Sequence, residues 1–185
     1  NTAAITAAGP TTDVRIGWQR QRRSFTRTTP LIAGGRLFTG TVAEPHGLIA
    51  LDARTGRTQW ESALDDMDWA DQLTLVGSGD IAVVAGSQVF VLDRESGTIH
   101  WTTEFPNVRR VTGLAADGDE MYVGTSEQVV ALDTTDGDTV WKSPLGEPTY
   151  PAAVLDESLI LCAYGRRTGA LVSLRKANGE VEWTV

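Results

Sequence analysis

Lysine is almost missing from this sequence: only Lys142 and Lys176 among sixteen basic residues, against twenty-four Asp and Glu. The net charge of -8 and a pI near 4.7 exclude a sequence-independent grip on phosphate backbones or an anionic membrane surface, so nucleic acid is not an expected partner. Cysteine is reduced to Cys162, which rules out an intrachain disulfide. Sitting in the apolar run Leu159 to Ala163, it is expected to pack as a small hydrophobe. No apolar stretch approaches the roughly 18 residues of a membrane span, and no basic-then-apolar leader opens the chain, so no membrane span is expected in this segment. The first residue is Asn1 rather than Met, as expected where a leader or a longer segment has been removed. The two histidines, His46 and His100, lie far apart, which supports neither a zinc site nor a catalytic triad; surface polar roles are expected.

Helical periodicity is also missing. What is present is 19 glycines, 7 prolines and many short Val, Leu, Ile and Ala runs bounded by turn residues, which reads as an all-β chain of short strands.

Four segments align without gaps: Leu48 to Trp60, Val89 to Trp101, Val129 to Trp141 and Leu171 to Trp183. Leu51, Leu92, Leu132 and Leu174 share one column. Asp52, Asp93 and Asp133 share the next, where Arg175 is the exception, and Gly56, Gly97, Gly137 and Gly179 form a third. With Trp18 counted, the tryptophans Trp18, Trp60, Trp101, Trp141 and Trp183 are spaced by 42, 41, 40 and 42 residues, the period of a four-stranded propeller blade. Each column has a physical reason. The Asp carboxylate accepts amide hydrogen bonds in a hairpin turn, and the Gly four residues on supplies a positive φ. The tryptophan on the following strand has a large ring to lay against the neighbouring blade and an N–H that needs an acceptor there, so Trp60, Trp101 and Trp141 are expected to be largely buried between blades. Two further strand-like runs precede each motif, for example Pro30 to Ala33 and Arg36 to Thr39, which makes four strands per unit.

The motif from Ala50 to Trp60, Ala-Leu-Asp-x-x-Thr-Gly-x-x-x-Trp, resembles the repeat of the PQQ-like propellers. That family includes quinoprotein dehydrogenases, BamB-type outer-membrane assembly lipoproteins and repeat proteins on cell surfaces or attached to kinases. The resemblance implies an all-β propeller of four-stranded PQQ-like blades, with a lead-in strand over 1–27 and blades over about 28–62, 63–103, 104–143 and 144–185. Rings of this kind close with about eight blades of about 41 residues, so four blades are expected to be part of a longer chain, half of a homodimeric ring, or a four-blade ring; the first is preferred. Function follows less directly from such a fold. The resemblance implies a non-catalytic scaffold that binds a protein partner or surface ligand, in an extracytoplasmic setting. The alternatives are a fragment of a PQQ-dependent dehydrogenase or a ligand-sensing domain of a membrane kinase. No cofactor is expected under the leading reading, and PQQ with calcium only under the dehydrogenase one. Those enzymes use a full ring, a calcium-binding acidic and amide set and often adjacent cysteines, whereas this chain has half the length and one cysteine.

Other candidates have plain readings. The run Asp65, Asp66, Met67, Asp68, Trp69, Ala70, Asp71 lacks the loop glycine and distal Glu of a calcium loop and is expected to be a solvated connection, with Trp69 tethering it. Arg20, Arg22, Arg23 and Arg27 read as charges that keep an edge strand from pairing. Arg109, Arg110, Arg166 and Arg167 fall at related repeat positions and suggest an arginine-lined face. No nucleophile stands beside a general base at a recognisable spacing.

Overall fold

The computed structural model describes residues 16–20, 28–41, 46–64, 70–77, 79–108, 110–155, 157–164 and 169–185, with the backbone alone described over 151–155 and 159–164. Among the described residues there is no helix; all regular structure is antiparallel strand. The first sheet holds β1 (Leu31–Ala33), β2 (Arg36–Thr41), β3 (Gly47–Asp52) and β4 (Thr58–Ala63). The second holds β5 (Gln72–Val76), β6 (Asp80–Ala85), β7 (Gln88–Leu92) and β8 (Ile99–Glu104). The third holds β9 (Gly113–Asp117), β10 (Glu120–Gly124), β11 (Gln128–Asp133) and β12 (Thr139–Pro144), and the fourth β13 (Thr149–Leu155), β14 (Ser158–Tyr164), β15 (Gly169–Arg175) and β16 (Val181–Thr184). In every sheet the strands lie in chain order, as consecutive hairpins.

These sheets are propeller blades that do not close into a ring. Inner strands of consecutive blades approach one another, β5 meeting β9 and β9 meeting β13. The alternation of strand side chains explains the uninterrupted apolar runs of the middle strands. In β6, Ile81 and Val83 pack toward the first blade with Phe38, Leu48 and Leu92, while Val84 faces the third with Met121 and Val123. Tyr122, Val129 and Ala131 continue the pattern toward Val172 and Leu174 of the fourth blade. The outer strands alternate exposed positions with half-buried ones in β4 and β8 and with buried ones in β12, which leaves their tryptophans to make the outer contact between blades.

Two expectations change here. The described part of the lead-in, residues 16–20, lies in no strand. In the four blades the tryptophan-bearing strand is zipped to the strand before it, as Ala50 pairs with Trp60, and no such partner exists for Trp18 among the described residues. In the fourth blade, where the apolar run Ala153 to Leu155 reads as the inner strand, the strand is longer. It starts at Thr149 and accommodates Pro151 at a bulge on an edge strand, where proline's missing N–H costs no ladder bond. Cys162 lies in β14 opposite Leu171; its packing falls outside the described side chains.

Candidate functional site

The turn that joins the last two strands of each blade is built by its own side chains. Asp52 Oδ1 accepts the Arg54 amide at 3.1 Å and the Thr55 amide and hydroxyl at 2.7 Å each. Asp93 Oδ1 accepts the Ser96 amide and hydroxyl at 2.6 Å, and Asp133 Oδ1 the Thr135 amide at 2.7 Å. The Thr55 and Ser96 hydroxyls first, and then their amides, hold the Asp52 and Asp93 carboxyls below the usual carboxylate range. Gly56, Gly97, Gly137 and Gly179 close the turns at φ between 70° and 81°. The fourth turn keeps its backbone bond from the Gly179 amide to the Arg175 carbonyl, which is why arginine is tolerated in the Asp column.

The indoles lie on these turns, each from the preceding unit. Trp18 Nε1 donates to the Ala53 carbonyl (2.9 Å), Trp60 to Arg94 (3.1 Å), Trp101 to Thr134 (3.0 Å) and Trp141 to Lys176 (2.6 Å). Each ring rests on the turn glycine so closely that a Cβ there would come within 2.7, 2.5, 2.5 and 2.4 Å of Trp18, Trp60, Trp101 and Trp141 respectively. The residue two past the tryptophan adds a bond to the glycine carbonyl: Arg20 to Gly56 and Thr103 to Gly137, both at 3.1 Å. Burial is less even than expected. Trp141 is buried at 8% exposure, but Trp60 and Trp101 are only half-buried. Trp183, at 44% exposure, lies on no turn among the described residues.

Blade junctions differ at the rim. Between the first and second blades, Arg36 reaches Glu95 at 2.5 Å and Arg94 lies against Gly34 and Gly79. Between the third and fourth, Lys176 pairs with Asp117. At the middle junction the register puts Asp80 where the first blade has Arg36, and Thr134 and Thr135 where the second has Arg94 and Glu95. Three long side chains become three short ones, and an open cleft of about 440 Å³ remains, lined by Gly77, Asp80, His100, Asp119, Thr134 and Thr135. A second hollow of about 280 Å³ adjoins it at Gly77, between the Leu75–Gly79 and Ala116–Gly118 turns.

His100 is half-exposed and sits with Nε2 3.4 Å from Asp80 Oδ2; ligand atoms of Asp80, Asp93 and His100 all lie within 4.8 Å of one another. Sequence reasoning treated His100 as an isolated surface group and missed this cluster. The pairing register reveals it: a β-bulge precedes the tryptophan of every blade, and the bulged residue, His100 here and Glu182 in the fourth blade, reaches across the neighbouring strands. Arg20, expected as a solvated charge, instead clamps the first turn through Gly56 and Thr58. Asp71, placed in a solvated loop by the sequence, pairs with Arg110 at 3.0 Å. Asp65, Asp66, Met67, Asp68 and Trp69, with Arg22, Arg23, Arg27, Arg109, Arg166 and Arg167, lie outside the described residues.

Comparison with known proteins places this geometry. The family model described as outer membrane protein assembly factor BamB matches residues 7–91 and 85–185. The serine/threonine-protein kinase AfsK of Streptomyces griseus is 31% identical over 125 residues, 60% of this chain and 15% of the kinase. Among solved structures, BamB of Moraxella catarrhalis aligns with a TM-score of 0.57 at 23% identity, over 82% of this chain and 58% of that one. The quinohemoprotein alcohol dehydrogenase of Comamonas testosteroni aligns at 0.63 and 13%, over 85% of this chain and 34% of the enzyme. The chain thus spans about a seventh of the kinase's length and little more than half of that BamB's.

Proposed function

This chain belongs to the BamB-like family of PQQ-type propeller repeats, and from that membership we propose that it is a non-catalytic, extracytoplasmic binding module that presents its blade rim to a protein partner or surface ligand. The carrying observation is how the repeat spends its polar groups. Asp52, Asp93 and Asp133 are engaged in holding turns, the indole N–H groups in joining blades, and the rim cleft between the second and third blades is left open to solvent. Propeller loops on one face are well suited to this, because a rigid array of blades positions them without ordering cost at the moment of binding.

Site-specific photo-crosslinking in the native cell tests the reading. A crosslinker at Thr135, on the rim, is expected to capture one defined protein that a crosslinker at the exposed Thr102 on the outer strand does not. Equal or absent capture at both positions refutes a rim interface. Two alternatives remain distinct in the same setting. Saturable micromolar binding of PQQ that requires calcium would replace the scaffold reading with a quinoprotein fragment. The similarity to AfsK favours a sensory domain of a kinase as the second reading, for which a thermal-shift screen should find a small ligand bound without turnover.

A further inference from the structure

Three positions of each blade converge at one end of the sheet: the first residue of the second strand, the residue of the Asp column beside it and the bulged residue before the tryptophan. In the fourth blade they are Ser158, Arg175 and Glu182, and they satisfy one another. The Ser158 hydroxyl donates to Glu182 at 2.8 Å, and Arg175 Nε stands 3.7 Å from the same carboxylate. The first blade also carries a cation there, Arg36. The second blade has Asp80, Asp93 and His100 and the third Glu120, Asp133 and Val140, both without arginine or lysine at the three positions, but only in the second does an imidazole join the two carboxylates.

We infer that Asp80, Asp93 and His100 form a binding site for a divalent cation of the zinc class at the rim cleft. The donor set is the argument for the class: imidazole nitrogen with carboxylate oxygen suits zinc and its neighbours, whereas calcium and magnesium take oxygen alone. Geometry allows it. Ligands around a tetrahedral ion with bonds of about 2.0–2.2 Å stand roughly 3.5 Å apart, and atoms now within 4.8 Å reach that by small rotations of side chains at the protein surface. The turn bonds of Asp93 all fall on Oδ1, so the carboxylate can hold its turn and still present Oδ2. Asp80 and His100 both line the cleft, which Asp119 lines from the third blade. An ion held there offers a Lewis-acidic contact point for an anionic group of whatever the rim binds. The inference deepens the binding-module reading at the same cleft, yet its test needs no partner.

The full chain, stripped with chelator and dialysed, is titrated with zinc chloride by calorimetry and with cobalt(II) by visible absorption. One zinc per chain is expected, with a cobalt ligand-field band. His100→Ala and Asp80→Asn should each weaken binding by roughly tenfold or more and remove the band, while Glu182→Gln, at the position equivalent to His100, leaves both unchanged. No binding at micromolar zinc overturns the inference, as does wild-type affinity in His100→Ala, or calcium binding in place of zinc. Failure here leaves the Thr135 crosslinking result untouched, and failure of that crosslink leaves the zinc titration standing.

Discussion

Replacing Gly97 with alanine tests the indole-on-turn contact more sharply than removing a tryptophan, because it adds one methyl and deletes nothing. Gly97 has φ of 76°, and a Cβ built on it would lie 2.5 Å from Trp60 Cε3, 2.7 Å from Cδ2 and 3.0 Å from Cζ3. Two costs follow. An L side chain in the left-handed region costs about 1–2 kcal/mol, and forcing the ring off the turn adds an overpacking cost of about 1–3 kcal/mol. The sum is about 2–5 kcal/mol. Gly118 is the internal control: at φ of 57° its Cβ would meet nothing within 4 Å, so Gly118→Ala should show the backbone cost alone, about 1–2 kcal/mol. Urea unfolding followed by tryptophan fluorescence and by backbone circular dichroism measures both. Adding Trp60→Ala to Gly97→Ala should then cost less than Trp60→Ala alone, since the clash has gone with the ring. Equal losses in Gly97→Ala and Gly118→Ala would refute the close approach, whatever the tryptophan variants do.

Trp141→Ala should cost about 3–5 kcal/mol, since the ring is buried, bonded to the Lys176 carbonyl and tilted against Tyr122 at 5.8 Å, whereas Trp183→Ala, exposed at 44%, should cost under about 1 kcal/mol. Equal midpoints in urea would contradict the assignment of roles. Burial, and then the bond to Glu120, push the Tyr122 phenol well above its ordinary value. The unfolded phenol ionises near pH 10, so this stability is complete below about pH 10 and falls as pH rises beyond it. Absorbance titration should leave one tyrosine neutral until alkaline unfolding, and Tyr122→Phe should blunt that unfolding. The carboxyls of Asp52 and Asp93 are shifted the other way, so their stability is present above about pH 3.9 and is lost as pH falls toward their depressed folded values. Asp52→Asn and Asp93→Asn should therefore lower stability at neutral pH and flatten the acid limb; an unchanged acid limb would mean the hydroxyl bonds from Thr55 and Ser96 do not hold the charged form.

The turns were legible because their chemistry is contiguous. Leu51 to Trp60 contains the strand end, the accepting carboxylate, the positive-φ glycine and the indole within ten residues, and the period of about 41 residues repeats it. The cleft was not legible, for a physical reason. It is made by what is missing from one junction, where Asp80, Thr134 and Thr135 replace long charged side chains, and only the pairing register shows which residues correspond. The Asp80, Asp93 and His100 cluster was hidden the same way, since a bulge sets where His100 points and a bulge adds no distinctive residue to the sequence. Arg20 was misread because composition sees its charge, while the structure uses its reach to the Gly56 carbonyl.

The pairing of indoles with turns also bears on self-association. Ala53, Arg94, Thr134 and Lys176 each accept one indole N–H, from Trp18, Trp60, Trp101 and Trp141, so every described turn of this type is already occupied. Trp183 is the indole left over. A second copy joining through Trp183 would have to lift Trp18 off the first turn, together with the Arg20 bonds to Gly56 and Thr58. That exchange gains one indole contact and loses another, leaving only side-chain differences to drive association. Self-pairing through Trp183 therefore adds no net indole contact to those the chain already makes.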